Sequence, residues 1–180
     1  MSRTVIIALA AGLALPTSQL AGQGHHRQGF WFGGGIGGGS TTGEESGDET
    51  GPALYFRAGG TLSRGFLMGG DLLGWYWKSG EEELLRSSLS LAAIFYPIPQ
   101  ANLLLRGTAG FAHGETSRPS SIAGVLEIDN QDGFSFGLGV GYDIRLSESL
   151  SLTPNVDVVG YNFGGFNAGL ALLTLGMTWH

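Results

Sequence analysis

Seven ionisable residues occur within stretches that otherwise alternate between large apolar and small or polar side chains. They are Arg57, Asp71, Arg86, Arg106, Asp143, Arg145 and Asp157. Each lies on the parity that carries the small and polar side chains in most of these stretches, so in a β-strand each would project from the polar face. Buried charges are tolerated when they are paired and hydrogen-bonded. We therefore predict that these arginines and aspartates pair inside the fold as a structural cluster. The alternative is that some lie at the rims in water, where a single ion pair contributes little.

Other candidates for chemistry are weaker. His113 and Glu115 could serve an enzyme, but no serine accompanies them in a recognisable motif. The glycine-rich stretch 33–39 lacks the Lys-Ser/Thr of a phosphate-binding loop. His25 and His26 form only a short pair, which is a poor metal site. The sequence thus predicts no catalytic, metal-binding or cofactor-binding residues, and no cofactor.

Stretch 134–146 shows which kind of element carries the charges. All its large apolar residues share one parity, whereas serine, glycine and charged residues take the other. Seven further stretches alternate in a similar way, and most have about the nine residues that a tilted strand needs to cross a bilayer. The eight predicted strands are 30–38, 53–62, 66–78, 84–96, 102–113, 134–146, 150–163 and 166–179.

Composition separates the possible protein classes. Only 13% of the 180 residues are charged, which is too few for an ordinary soluble surface. The mean hydropathy of +0.13 is too low for a bundle of membrane helices. A transmembrane barrel fits between these limits. The net charge of -6 argues against a nucleic-acid partner, and the absence of cysteine excludes disulfides.

The connections between strands fall into two groups. Stretches 63–65, 97–100 and 147–149 read as tight turns, whereas 39–52, 79–83 and 114–133 are longer, and a short bend at 164–165 completes the second group. Eleven of the fifteen acidic residues lie in the longer connections. They are Glu44, Glu45, Asp48, Glu49, Glu81, Glu82, Glu83, Glu115, Glu127, Asp129 and Asp132.

Two arguments place the apolar face on the outside. An arginine facing lipid at mid-depth would cost about 2–4 kcal/mol. A narrow eight-stranded barrel also has too little interior space for all the large apolar side chains.

The third strand departs from this pattern, since Leu67, Leu73, Trp75 and Trp77 take the inner parity. Either a bulge shifts its register, or these side chains fill space left by inner glycines.

The start of the chain has the features of an export signal. Arg3 precedes a twelve-residue apolar run at 4–15, and Pro16 follows that run. We predict a signal peptide at 1–22, with an approximate cleavage site, then a short segment at 23–29 and a barrel domain at 30–180. The alternative is a buried helix of the mature chain.

Eight alternating strands behind a signal peptide, with tight turns on one side, resemble the small bacterial outer-membrane barrels of the OmpA/OmpX-like superfamily. The resemblance implies an all-β, eight-stranded antiparallel up-and-down transmembrane β-barrel in the outer membrane of a Gram-negative-type bacterium, surrounded by outer-membrane lipid. It also implies that the barrel-assembly machinery recognises the last strand. The matching residues are Leu173, Leu175, Met177 and Trp179. In the family the last strand ends in an aromatic residue, whereas here Trp179 is next to last and His180 follows it.

These observations favour a non-enzymatic barrel with a lumen filled by side chains. Its role would be to stabilise the envelope, or to present the acidic loops 39–52 and 114–133 to an external partner. Two alternatives remain at this point. One is a lipid-A-modifying enzyme that uses His113 or Glu115, and the other is a narrow solute channel.

Overall fold

The computed structural model describes residues 29–42, 49–98, 101–120, 126–164 and 167–180. The predicted signal peptide lies outside the described residues. Within them the chain forms nine strands, all antiparallel to their neighbours. They are β1 (Phe30–Thr42), β2 (Thr50–Ser63), β3 (Phe66–Ser79), β4 (Glu82–Phe95), β5 (Leu103–Pro119), β6 (Leu126–Tyr142), β7 (Ile144–Arg145), β8 (Leu150–Asn162) and β9 (Asn167–Trp179). No helix in this part of the chain is both long and apolar enough to cross a membrane.

The strands close into a barrel. Their order is β6-β5-β4-β3-β2-β1-β9-β8-β7, and β6 also pairs with β8. Because β6 and β7 both pair with β8 and are separated only at Asp143, they form one interrupted strand of the wall. The wall therefore has eight strands, and the predicted eight-stranded antiparallel up-and-down barrel is confirmed.

Alternation decides which side chains face inward. On β6 the large apolar residues project outward, and Leu138 is 74% exposed. Its small residues face the lumen, where Ser135 is 4% exposed. Leu173, Leu175, Met177 and Trp179 also lie on the outer face. The outer surface is therefore a continuous apolar band, as the parity of the sequence predicted.

Three connections differ from the prediction. Residues 114–133 are not one long loop, because β5 continues to Pro119 and β6 begins at Leu126. In this hairpin β6 extends beyond its neighbour β8, whereas β5 stays paired with β4 as far as Ser117. We call residues 114–119 and 126–133 the acidic hairpin. Residues 79–83 contract to a tight turn, in which Gly80 has a φ of +62° that favours glycine. Loop 39–52 is also shorter than predicted, since β1 extends to Thr42 and β2 starts at Thr50.

The third strand keeps its register and points its large side chains inward. Its ladder with β4 is continuous, and the irregularity in its pairing with β2 lies between Thr61 and Ser63. Trp75 is 1% exposed, and its indole N–H donates a hydrogen bond of 3.0 Å to the Gly39 carbonyl oxygen. A Cβ at Gly39 would lie 3.2 Å from the Trp75 ring. Of the two explanations, filling of glycine space is therefore the correct one.

Large side chains pack the lumen in two apolar clusters. The cluster near the tight-turn end comprises Trp31, Leu67, Ile94, Tyr96 and Leu104. The cluster toward the acidic hairpin includes Tyr55, Leu73, Trp75, Val159, Tyr161, Leu170 and Leu172. The interior is thus more apolar than the small polar face that we predicted. Arg57 and Arg106 lie between the two clusters, beside Leu172 on one side and Leu104 on the other.

Candidate functional site

The first ion pair in the lumen joins neighbouring strands. Arg57 on β2 is the direct register partner of Asp71 on β3, and their side chains form a hydrogen-bonded ion pair. Both residues are buried, at 7% and 4% exposure. The Arg57 guanidinium also lies 3.7 Å from the centroid of the Tyr55 ring, where a cation–π contact is favourable. Arg57 is thereby fixed by two different neighbours.

A second ion pair spans an intervening strand. Arg106 on β5 reaches Asp157 on β8 across Gly139 of β6, which is in register with both residues. A Cβ at Gly139 would overlap the Asp157 carboxylate and would come within 2.9 Å of the Arg106 guanidinium. A glycine is therefore required at this position for the pair to form.

Further contacts join the two ion pairs. Arg57 Nη2 lies 3.8 Å from Asp157 Oδ2, so Asp157 is close to both arginines. Arg106 also donates to the Asn155 side-chain oxygen at 3.2 Å, and the Asn155 amide donates to the Tyr55 hydroxyl at 3.1 Å. We call Arg57, Asp71, Arg106 and Asp157 the charge layer. It consists of two opposite-charge pairs with hydrogen-bonded neighbours, as buried ions require.

Little free volume remains around the charge layer. One void of ≈ 10 Å³ is lined by all four of its residues, and a second of ≈ 20 Å³ lies between Arg57 and the cluster at the tight-turn end. A water molecule needs roughly 10–15 Å³ of such volume. Each void thus has room for about one water molecule, which is far less than a solute path requires.

The other three charged residues lie away from this layer. Asp143, 1% exposed, accepts hydrogen bonds of 2.8 Å from both Tyr96 and Thr153. Arg145 donates to the Ser147 carbonyl oxygen at 3.0 Å in the β7–β8 turn. Arg86 lies nearer the acidic hairpin, and among the described residues no carboxylate is within ion-pair distance of it. The structure therefore does not bring all seven residues into one cluster.

Known structures share this architecture. Ail, the attachment invasion locus protein of Yersinia pestis, matches with a TM-score of 0.61 at 13% identity, covering 84% of this chain and 99% of Ail. Neisserial surface protein A matches with a TM-score of 0.61 at 14% identity, covering 83% of this chain and 96% of that protein. The N-terminal β-barrel domain of Pseudomonas aeruginosa OprF matches with a TM-score of 0.58 at 15% identity, covering 84% of this chain and 98% of that domain. The chain has the fold of the small OmpA/OmpX-like outer-membrane barrels. Neither a protein-family model nor a curated protein sequence matches it.

The acidic hairpin is the second notable feature of this outer-membrane-type barrel. The ladder between β6 and β8 stops at the pair Phe134–Asn162, so residues 126–132 of β6 pair only with β5 in the described structure. Glu127, Asp129 and Asp132 are exposed along this edge. The hairpin therefore combines an open strand edge with negative charge.

The tight β3–β4 turn carries an exposed ion pair at the same end of the barrel. Lys78 and Glu83 are register partners joined by a hydrogen bond. That hydrogen bond raises the pKa of Lys78 and lowers the pKa of the Glu83 carboxyl. Because both side chains are in water, the pair influences local charge more than stability.

The sheet register also makes an arrangement that the sequence analysis missed. Ser87 on β4, His113 on β5 and Asp132 on β6 are successive register partners on the outer face. His113 Nδ1 lies 2.7 Å from the Asp132 carboxylate. Glu115, the other residue proposed for catalysis, is in register with Leu85 and Asn130 instead. Strand parity places Ser87 outside, but only the register shows its neighbours.

Proposed function

We propose that this protein is an integral outer-membrane barrel with a closed lumen, which binds an external partner through the acidic hairpin. The open edge of β6 carries this proposal. The lumen supplies rigidity, and a stable barrel also contributes to the envelope as a structural element. The apolar outer band is the surface that outer-membrane lipid would cover.

Export and assembly complete the proposal. Residues 1–22 direct the chain out of the cytoplasm, and the barrel-assembly machinery recognises the outward residues of β9. The aromatic stack of Phe32 on Trp179, with ring centroids 5.2 Å apart, ties the last strand to the first at the tight-turn end. In this orientation the tight turns face the periplasm and the acidic hairpin faces outward.

The filled lumen argues against the solute-channel alternative. The two voids beside the charge layer each hold about one water molecule, which is too small for a solute to pass this part of the lumen. Planar-bilayer recording of the refolded protein should therefore show no steady open level. A reproducible conductance that Arg106→Ala alters would contradict the closed lumen.

The edge of β6 can recruit a partner strand. An unpaired strand edge presents backbone N–H and C=O groups to a second chain, and β-augmentation uses these groups for affinity. Residues 126–132 span roughly 20 Å, long enough for a strand of about six residues. The carboxylates of Glu127 and Asp129 favour a basic partner. A basic, extended peptide segment is therefore the chemistry that fits the hairpin.

One structural relative invites a contrast. Ail has been crystallised with the heparin analogue sucrose octasulfate, a polyanion. The hairpin of the present chain carries Glu115, Glu127, Asp129 and Asp132, with Arg118 opposite Glu127. Like charges repel, so we expect this hairpin to bind no polysulfated ligand.

Fluorescence anisotropy can test the proposed binding. The probe is a labelled ten-residue peptide that alternates lysine with threonine or valine, titrated against protein refolded in zwitterionic detergent. We expect saturable binding that weakens as salt rises, because exposed charges are screened. Glu127→Gln with Asp129→Asn should weaken binding by more than tenfold.

A matched control removes the same charge elsewhere. Glu81→Gln with Glu82→Gln also deletes two carboxylates, but at the β3–β4 turn rather than at the open edge. This double variant should bind the peptide nearly as well as the wild type. If both double variants weakened peptide binding equally, the effect would come from net charge alone. The open edge would then be rejected as the binding site.

A further inference from the structure

We propose that Ser87, His113 and Asp132 form a serine-hydrolase site on the outer wall, which cleaves a carboxylic ester of a membrane lipid. This activity goes beyond partner binding by the hairpin. It rests only on the proposed membrane location. No serine accompanies His113 in a recognisable sequence motif, but the sheet register places Ser87 directly opposite it.

The three residues form a row across adjacent strands. His113 is the middle member, with Ser87 and Asp132 as its register partners on either side. Directly opposed residues in an antiparallel sheet have Cβ atoms about 4.5–5.5 Å apart, close enough for side chains to interact. A nucleophile, a base and an orienting carboxylate in this order are the requirements for an activated serine.

The His113–Asp132 contact defines which nitrogen acts as base. Nδ1 lies 2.7 Å from the Asp132 carboxylate, so Nδ1 carries the ring proton and donates a hydrogen bond to Asp132. The Nε2 lone pair is then the proton acceptor. Ser87 Oγ lies 3.5 Å from the His113 backbone carbonyl oxygen. The proposed reaction requires the Ser87 hydroxyl to rotate from that carbonyl to another staggered rotamer that faces the ring.

The row lies where the outer wall changes from apolar to polar. The row below, toward mid-membrane, is Leu89, Phe111 and Phe134, each at least 62% exposed on the outer face. The row above is Leu85, Glu115 and Asn130, of which two are polar. Rows two residues apart are separated by about 7 Å. The site is therefore at the membrane–water boundary, which is also where the ester groups of lipids lie.

An apolar groove on the outer wall reaches Gly74, which is the neighbour of Ser87 in the sheet. Its volume is ≈ 440 Å³, and its lining includes Ile36, Leu54, Gly74, Tyr76 and Leu85. Gly74 is the register partner of Ser87 on the side away from His113. Because Gly74 has no side chain, no side chain at this position separates the groove from Ser87. A lipid acyl chain is the occupant that fits an apolar groove in this position.

The proposed reaction is ordinary ester hydrolysis. Ser87 Oγ adds to the ester carbonyl carbon while its proton passes to His113 Nε2. The carbon–oxygen bond to the alcohol breaks, and that alcohol takes the proton from Nε2. Water then attacks the acyl–serine ester by the same proton transfers, which releases the fatty acid and restores the hydroxyl.

The test uses protein refolded into phosphatidylethanolamine vesicles, with and without added lipopolysaccharide, and measures released fatty acid. Fatty acid from the first vesicles identifies a phospholipid source, and release only with lipopolysaccharide identifies a glycolipid source. Ser87→Ala should reduce release to background. His113→Gln should lower the rate by about 10²–10⁴-fold. Asp132 is a positioning residue, so Asp132→Asn should lower kcat and leave KM unchanged.

Two further variants keep the result interpretable. Ser79→Ala removes an exposed serine of β3 that is in register with Glu82, and it should retain full activity. Gly74→Leu should abolish cleavage of p-nitrophenyl palmitate but spare p-nitrophenyl butyrate. A Cβ at Gly74 makes only an ordinary contact, 3.8 Å from Leu54, so this variant should fold.

Three outcomes would overturn the proposal. They are no release from either vesicle type, equal rates for wild type and Ser87→Ala, or equal loss with Ser79→Ala. A fluorophosphonate probe followed by mass mapping provides an independent measurement, since labelling must occur at Ser87. Recovery in the vesicle fraction and a heat-dependent shift on SDS gels test the membrane location separately from hydrolysis.

Discussion

Removal of the Asp157 carboxylate tests the charge layer most directly. Asp157 is the ion-pair partner of Arg106, which is only 4% exposed. Asp157→Leu would leave that guanidinium in the lumen without a carboxylate, whereas Arg57 would keep Asp71. Removing one partner of a buried ion pair costs about 3–5 kcal/mol. We expect the free energy of unfolding to fall by that amount.

A double variant separates the ion pair from the space that it fills. Arg106→Met with Asp157→Leu replaces both charges by apolar side chains of comparable size, a change that is often close to neutral. The double variant should therefore regain most of the stability that Asp157→Leu loses. The stability losses of the two single variants would then not add up to the loss of the double variant, as expected for residues in contact.

Urea titration of the refolded barrel in lipid vesicles provides the measurement, with tryptophan emission as the signal. Asp129→Asn is the control, since Asp129 is exposed on the hairpin, and it should change stability by no more than about 0.5 kcal/mol. A loss below about 1 kcal/mol for Asp157→Leu would refute the reasoning. The reasoning would also be refuted if the double variant lost as much stability as the two single variants lose together.

Two further predictions concern a lumen glycine and the β3–β4 turn. Gly176→Ala should destabilise the barrel by about 1–3 kcal/mol in urea titration, because the new Cβ would overlap the Tyr55 hydroxyl; Gly70→Ala, with nothing within 4 Å, should be neutral. Equal effects would contradict this packing. Lys78 lowers the pKa of Glu83, so the pair stabilises the turn at neutral pH and loses this contribution as pH falls through the Glu83 pKa. In an NMR titration Lys78→Met should return that pKa toward its ordinary value of 4.5, and an unchanged titration would disprove the coupling.

Strand parity was enough to predict the barrel and its inner and outer faces. Alternation is a local property, so the sequence around Leu138 or Asp157 reports its orientation directly. Pairing across strands is not local, because it depends on turn lengths and on the stagger of the whole barrel. This explains why the inward direction of Arg106 was predictable, whereas its route across Gly139 to Asp157 was not.

The acidic hairpin was missed for a different physical reason. Within the membrane band a strand must keep an apolar outer face, and this produces the pattern that sequence analysis detects. Beyond the band both faces of a strand are in water, so residues 114–119 and 126–133 need no alternation to pair. Polar strands of this kind look like loops in the sequence. The same limit hid the row at Ser87, which lies where the apolar pattern ends.

Glycine has opposite consequences on the two faces of this wall. Inside, Gly139 lets Arg106 reach Asp157, and Gly110 lies between Ser90 and Ser135, whose hydroxyl oxygens are 3.1 Å apart. Long side chains can thus cross a strand, and the lumen closes. Outside, a missing side chain leaves a slot in the apolar surface, as Gly74 does beside Ser87. Substituting an inner glycine should therefore change stability, whereas substituting Gly74 should change which lipid reaches the wall.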